Sequence, residues 1–281
     1  MSVQWSLVFF TLFIGLGTGV YVAGVAITEW WRKAREMRIT GAVTALVFLV
    51  LGGIASVLHL GHPERIFGAL GHPTSGIFVE SLLIGLTALA SIAYIIAIEK
   101  AASEKVCRVI ASVGVVFAVL LAFAVGSTYV LSSRPAWDTP ILPLLYLASA
   151  AAMGCFAIRI LMKRMMDTVV KTQMDWMALI ALVVEAVLLF AYLVHLAVAP
   201  FPDISRSASR VLGGNLVLLF WGGVVLVGLL LPAFLVWSGR SNSRMLSPSS
   251  RTVWGFICVL LGAIAFRVLM FDVGSGIRQF F

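Results

Sequence analysis

Charge is what this chain has least of. Only 11% of its 281 residues are Asp, Glu, Lys or Arg, 61% are hydrophobic, and mean hydropathy is +1.07. A water-soluble domain carries about 25% charged residues, and apolar runs of this extent left in water would form large aggregating patches. A soluble protein is therefore excluded. Cysteine is scarce too: Cys107, Cys155 and Cys258 are far apart, each in or beside an apolar run. An iron–sulfur cluster takes four thiolates at tight spacing, so no cluster is expected in this chain, and the three read as small packing residues. There are four histidines. A haem in a helix bundle usually takes two axial histidines from helices. Only His59 and His195 fall on apolar runs, both near one face, so no haem is expected, and no metal site either.

What is present is a series of apolar runs near 6–28, 38–60, 76–98, 107–131, 140–163, 174–198, 214–237 and 252–271. Each meets the length of about 20 residues that one crossing needs. Charge, Pro or Gly separates them, as interhelical loops require. Backbone polar groups in lipid must be satisfied within the segment, so the runs are helices. The alternating ten-residue pattern of a barrel is absent. The expected fold is an all-α integral membrane protein, a bundle of eight transmembrane helices forming one domain over residues 1–281. The first run, Leu7 to Ile27, lacks a basic leader and a small-residue cleavage motif, and is expected to be a span rather than a cleaved signal. Gly15, Gly17 and Gly19 within it are read as sites of close helix approach.

Net charge is +8, but its placement argues against nucleic acid as a partner. Fourteen of the 20 Lys and Arg residues lie in or beside the loops after spans one, three, five and seven. Five lie on the other side, and Arg267 lies inside the last span. Such a bias faces anionic lipid, and the positive-inside rule places both termini on the outer, periplasmic side of a bacterial or archaeal cytoplasmic membrane.

The unusual chemistry sits on the side poor in charge. The stretch "SVLHLGHPERIFGALGHPTSGIFVE" (56–80) gathers His59, His62, Glu64, Arg65, His72 and Glu80 between two apolar runs. Glu80 lies about 6 Å inside the third span by helical rise, with His59 at the matching level of span two. Arg267 lies about one turn from the corresponding end of span eight. Ionised groups at such depth cost a few kcal/mol unless paired or hydrated. Glu80 has a structural reading, an ion pair to Arg65 or Arg267 or snorkelling to headgroups. It also has a functional one, a carboxylate that exchanges protons with a bound ligand beside a histidine titrating near neutrality. Tyr129, Arg134, Trp137 and Asp138 cluster at the same end of span four, where an aromatic belt accounts for Tyr and Trp equally well. Glu185 falls mid-way along span six, ten residues before His195. It is either a protonated, hydrogen-bonded acid or part of a proton path.

These residues carry a resemblance. The run Leu58, His59, Leu60, Gly61, His62, Pro63, Glu64, Arg65, Ile66, Phe67, followed by Glu80, resembles the membrane anchor subunits of the dimethyl sulfoxide reductase family (DmsC-like). It is more distantly similar to polysulfide reductase-type (NrfD-like) membrane subunits. "FTLFIGLGTG" in span one, Tyr129 before Pro135-Ala136-Trp137, and Arg267 in the last span agree with it. The resemblance implies an anchor that binds quinone or quinol, expected as menaquinone, near the outer face. It implies no haem in this chain, and a docked iron–sulfur subunit leading to a molybdopterin catalytic subunit. Carried onto this sequence, the quinone site comprises His59, Gly61 and Glu80, with Arg65 in the same run and Tyr129 and Arg267 in support.

The expected function is the quinol oxidation or quinone reduction step of a respiratory molybdoenzyme complex, with His59 and Glu80 as the reacting groups and Glu185 as a group on a proton path. Two other classes stay open. A secondary transporter would place an acidic site such as Glu185 at the midplane among broken helices, against which stands the scarcity of mid-span proline, chiefly Pro143 and Pro232 near span ends. A purely structural anchor would have no quinone site.

Overall fold

The computed structural model describes residues 3–30, 35–59, 74–165, 168–198, 202–240 and 247–273. The elements found there are helices: α1 (Trp5–Trp30), α2 (Arg35–His59), α3 (Gly76–Glu99), α4 (Glu104–Ser127), α5 (Ile141–Leu161), α6 (Thr168–Val198), α7 (Pro202–Leu212), α8 (Leu218–Arg240) and α9 (Pro248–Val273). All but α7 are long and apolar enough to cross a membrane, so this is a multi-pass bundle of eight spans. An even number of crossings puts both ends on one side. We call that the sparse side and the side of the Lys- and Arg-rich connections the basic side.

The first and fifth helices form the centre. α1 packs on α2, α5 and α4, and α5 packs also on α4, α6 and α9. α3 lies against α2 and α4, and α8 against α9. Small residues permit the closest approaches. A Cβ on Gly19 would collide with the Ala150 carbonyl, and one on Gly154 with the Gly19 backbone. Gly228 of α8 and Gly262 of α9 meet in the same way. Lipid gives apolar surfaces little reason to associate, so backbone-close packing of this kind holds the spans together.

Several boundaries differ from the hydropathy reading for identifiable reasons. α4 begins three residues early because the Ser103 hydroxyl caps it, accepting from Val106 N at 3.4 Å. It ends at Ser127, which turns Tyr129 into the connection rather than the span. α6 starts at Thr168 rather than near 174, because a polar turn precedes its apolar stretch. Residues 202–212, read as loop, form α7. Its Ile204, Ala208 and Val211 are buried on one face while Ser205, Arg206 and Ser209 stand on the other, the pattern of a helix lying in the interface plane. Two segments are π-helical, Tyr21–Ala26 within α1 and Leu218–Leu230 opening α8. Hydropathy carries no signal for either.

Candidate functional site

Glu80 is placed by the start of α3. The Ser75 hydroxyl caps that helix, accepting from Phe78 N at 3.2 Å, and Glu80 follows one turn later on the buried face, 8% exposed. Its Oε1 accepts a 2.7 Å hydrogen bond from Thr128 Oγ1 at the end of α4. The same short turn beyond α4 delivers Tyr129, whose ring stacks on Tyr146 of α5 with centroids 5.6 Å apart and planes 13° from parallel. Trp137 and Phe271 meet the Tyr129 ring edge-on. Trp137 is not a belt residue at the lipid boundary: it is 3% exposed, and its Nε1 donates to Met270 O at 2.8 Å. Burial first, then the neighbouring Tyr146 and Glu80, push the Tyr129 phenol well above its ordinary value, so it stays a neutral hydroxyl.

Behind this aromatic wall lies Arg267, 1% exposed. Its Nε donates to Thr11 Oγ1 at 2.9 Å, Nη1 to Ala263 O at 2.9 Å and Nη2 to Thr11 O at 3.2 Å. Its guanidinium carbon lies 5.3 Å from the centre of the Tyr146 ring. A guanidinium so placed is held by polar partners rather than snorkelling, and it fastens α1, α5 and α9 together. Glu80 is satisfied by Thr128 and not by an ion pair to Arg267. Glu185 lies within electrostatic reach of Arg267, beside the buried Ser149 hydroxyl, which lacks the geometry of a hydrogen bond.

Glu80, Tyr129 and Arg267 are thus brought to one end of the bundle. His59 is the last residue of α2, which packs on α3 and ends on the same sparse side. Gly61 and Arg65, with His62, Glu64 and His72, lie outside the described residues. His195 is on α6, stacked on Tyr192 with centroids 6.4 Å apart. Tyr192 in turn donates to Ala136 O at 2.8 Å, beside Trp137.

Thr128, Tyr146 and Thr11 were not legible as site residues. Two further polar clusters, both toward the basic side, were missed as well. Arg38 Nη2 sits 2.9 Å from Glu29 Oε2, which also accepts from Tyr94 Oη at 2.7 Å. Arg159 Nη2 pairs with Asp175 Oδ1 at 2.7 Å. A groove of about 520 Å³ between α1, α5 and α6 is lined by Gly19, Ala148, Ala151, Ala181, Val184 and their apolar neighbours. With no titratable oxygen or nitrogen on its walls it suits hydrocarbon rather than proton chemistry. Among the described residues no three His, Cys, Asp or Glu gather as a metal site.

Over residues 1–271 the chain matches the family described as "Polysulphide reductase, NrfD". It belongs to the NrfD family. A search of curated proteins returns no match. NrfD proteins are quinone-interacting membrane subunits of redox complexes, and this chain is a membrane subunit of that class.

Proposed function

We propose that this chain is the membrane anchor and quinol/quinone-binding subunit of a multi-subunit molybdopterin oxidoreductase. It exchanges electrons between the quinone pool, as menaquinone, and an iron–sulfur subunit docked on the sparse side, the outer face by the charge bias. The observation that carries this reading is the oriented carboxylate of Glu80 beside the Tyr129–Tyr146–Trp137 wall, in a chain of this family.

The residues fit such a ligand. A quinone head needs flat apolar faces and polar groups at its rim, and small-molecule sites are built that way. The stacked tyrosines supply the faces. Thr128, Glu80 and the neutral Tyr129 hydroxyl supply the polar rim. When bound, a quinone provides a two-electron, two-proton exchange between the lipid phase and the partner's cluster. Every other task falls to the chain. Glu80 takes up or releases a proton at a carboxylate whose orientation Thr128 fixes. Tyr129 donates a hydrogen bond. Arg267 keeps Tyr146 and the three helices behind it in place. His59, with Gly61 and Arg65, is assigned to the same site by the sequence motif alone, His59 as the hydrogen-bonding partner of a ring oxygen. Glu185, within electrostatic reach of Arg267, is a further proton-accepting group.

Glu80→Gln tests the reading, because it keeps the shape and removes the proton. A positioned acid–base group contributes about 100-fold or more, so quinol-linked electron transfer in the assembled complex falls by at least that factor while a quinol analogue still binds. Turnover near wild type in an assembled complex removes Glu80 from the chemistry.

A further inference from the structure

The quinone reading gives the basic end of the bundle no task, yet the contacts there close into a ring. Arg240, the last residue of α8, lies with its guanidinium carbon 4.1 Å from the centre of the Trp176 ring on α6. Two residues earlier on α8, Ser238 O accepts from Arg251 Nη1 of α9 at 2.9 Å. The Ser249 hydroxyl, at the start of α9, accepts from Lys163 Nζ at 2.7 Å. Lys163 follows the end of α5, just beyond Arg159, whose Nη2 pairs with Asp175 Oδ1 at 2.7 Å. Asp175 is the chain neighbour of Trp176, which returns the circuit to its start. Just inside the ring α9 meets α5 closely: a Cβ on Gly255 would stand 2.9 Å from the Phe156 ring.

Among the described residues that make these contacts there are four cations, Arg159, Lys163, Arg240 and Arg251, and one carboxylate. Asp175 is taken by Arg159. The other three cations rest on neutral partners: an indole face, a serine hydroxyl and a backbone carbonyl. Such partners orient a cation without neutralising it, whereas a carboxylate does both. Lys163 and Arg240 are exposed, and Arg251 Nε is buried with no partner among the described residues. An anion reaching the ring therefore meets positive groups already held in place. Depth says which anion. Trp176, Trp237 and Trp254 are each about half exposed at this end of α6, α8 and α9, the level at which tryptophan meets lipid headgroups. α6 packs on Leu231–Arg240 of α8 and less on Leu218–Leu230, so the two helices diverge away from the ring and leave room between them for hydrocarbon chains.

We propose that this ring is a binding site for an anionic phospholipid of the basic leaflet, with its headgroup among Lys163, Arg240 and Arg251 and its acyl chains between α6 and α8. Basic pockets between helix ends on that side suit headgroups of high negative charge. Three cations without a carboxylate match two phosphates better than one, so the ligand is a two-phosphate lipid of the cardiolipin type. Bound there, it ties together the ends of α5, α6, α8 and α9. The site is independent of the quinone site, which lies at the opposite end of the bundle.

The test titrates cardiolipin onto the delipidated full chain in detergent and reads bound lipid by native mass spectrometry. Wild type should bind cardiolipin at least about tenfold more tightly than phosphatidylcholine, and Lys163→Gln and Arg240→Gln should each weaken cardiolipin by about fivefold. Both side chains are exposed, so these variants fold even if Arg251→Met does not, and a thermal melt of each checks its integrity. Lys105→Gln is the control: it removes an exposed charge from the same side of the membrane on α4, outside the ring, and should leave the affinity within about twofold. Loss in the two ring variants alone supports the site. Equal binding of cardiolipin and phosphatidylcholine overturns it, as does an equal loss in Lys105→Gln, which would mean general surface attraction. Displacement of the lipid by millimolar inorganic phosphate would mark a site for free anions and overturn the lipid assignment. A dimer in the same spectra that Arg240→Gln dissolves would put a second copy of the chain on the ring and overturn it too.

Discussion

Replacing Thr11 with Val should loosen the bundle through Arg267, and the structure gives the size of the effect. Valine keeps the β-branched shape but removes Oγ1, which accepts from Arg267 Nε at 2.9 Å. The Thr11 carbonyl still accepts from Nη2 at 3.2 Å, and Ala263 O from Nη1. One of three recorded guanidinium bonds is therefore lost. A hydrogen bond to a charged group contributes about 1.5–3 kcal/mol, and the upper part of that range applies where the donor is left buried and unpaired. Arg267 is 1% exposed, so no bulk water replaces the lost acceptor. The hydroxyl also donates to Val8 O at 3.2 Å, a neutral bond within its own helix that adds about 0.5 kcal/mol at most. The expected loss is about 2–3 kcal/mol, read by SDS-mediated unfolding in mixed micelles with tryptophan fluorescence. The decisive control is the same substitution in an Arg267→Met background, where the buried donor is gone. There Thr11→Val should cost less than about 0.5 kcal/mol, a coupling of about 2 kcal/mol. Equal costs in the two backgrounds would refute the reasoning, because the loss would then come from α1 and not from the guanidinium.

Other outcomes follow from the same geometry. Arg38→Met strands a fully buried Glu29 and should destabilise by about 3–5 kcal/mol; Glu29→Gln added to it should recover part of that loss in the same unfolding assay, and no recovery would contradict the pairing. Gly154→Ala drives a methyl into the Gly19 backbone and should cost at least about 1–3 kcal/mol from overpacking, seen as a lower melting temperature; an unchanged melt would mean α1 and α5 do not meet there. Tyr129→Phe should weaken binding of a quinol analogue by about fivefold to tenfold, the worth of one hydrogen bond. Because burial holds that phenol protonated well above its ordinary value, the pH profile of binding across the neutral range should not change, and a shifted profile would contradict it.

The spans were legible because hydropathy is a property of each segment alone, and Glu80 and Arg267 were legible because a charge inside an apolar run has no local excuse. Their partners were not. Thr128 lies 48 positions from Glu80, and Thr11 lies 256 from Arg267. Both are ordinary threonines until the helices are packed. Glu29 lies close to Arg32 and Lys33 in the sequence, at the charged end of the first apolar run, where nothing local marks it as buried. Only the approach of α2 and α3 shows it to be buried against Arg38 and Tyr94. α7 did leave a signal, the i, i+4, i+7 spacing of Ile204, Ala208 and Val211, obscured by the prolines and serines around it.

The most direct measurement is photolabelling of the assembled complex with an azido-quinone, followed by mapping of the modified peptides. The account predicts label on the turn carrying Thr128, Tyr129 and Trp137 and on the start of α3, removed by excess quinol analogue. Competable label confined to the apolar groove of Gly19, Ala151 and Val184, with that end of the bundle unmodified, would contradict it.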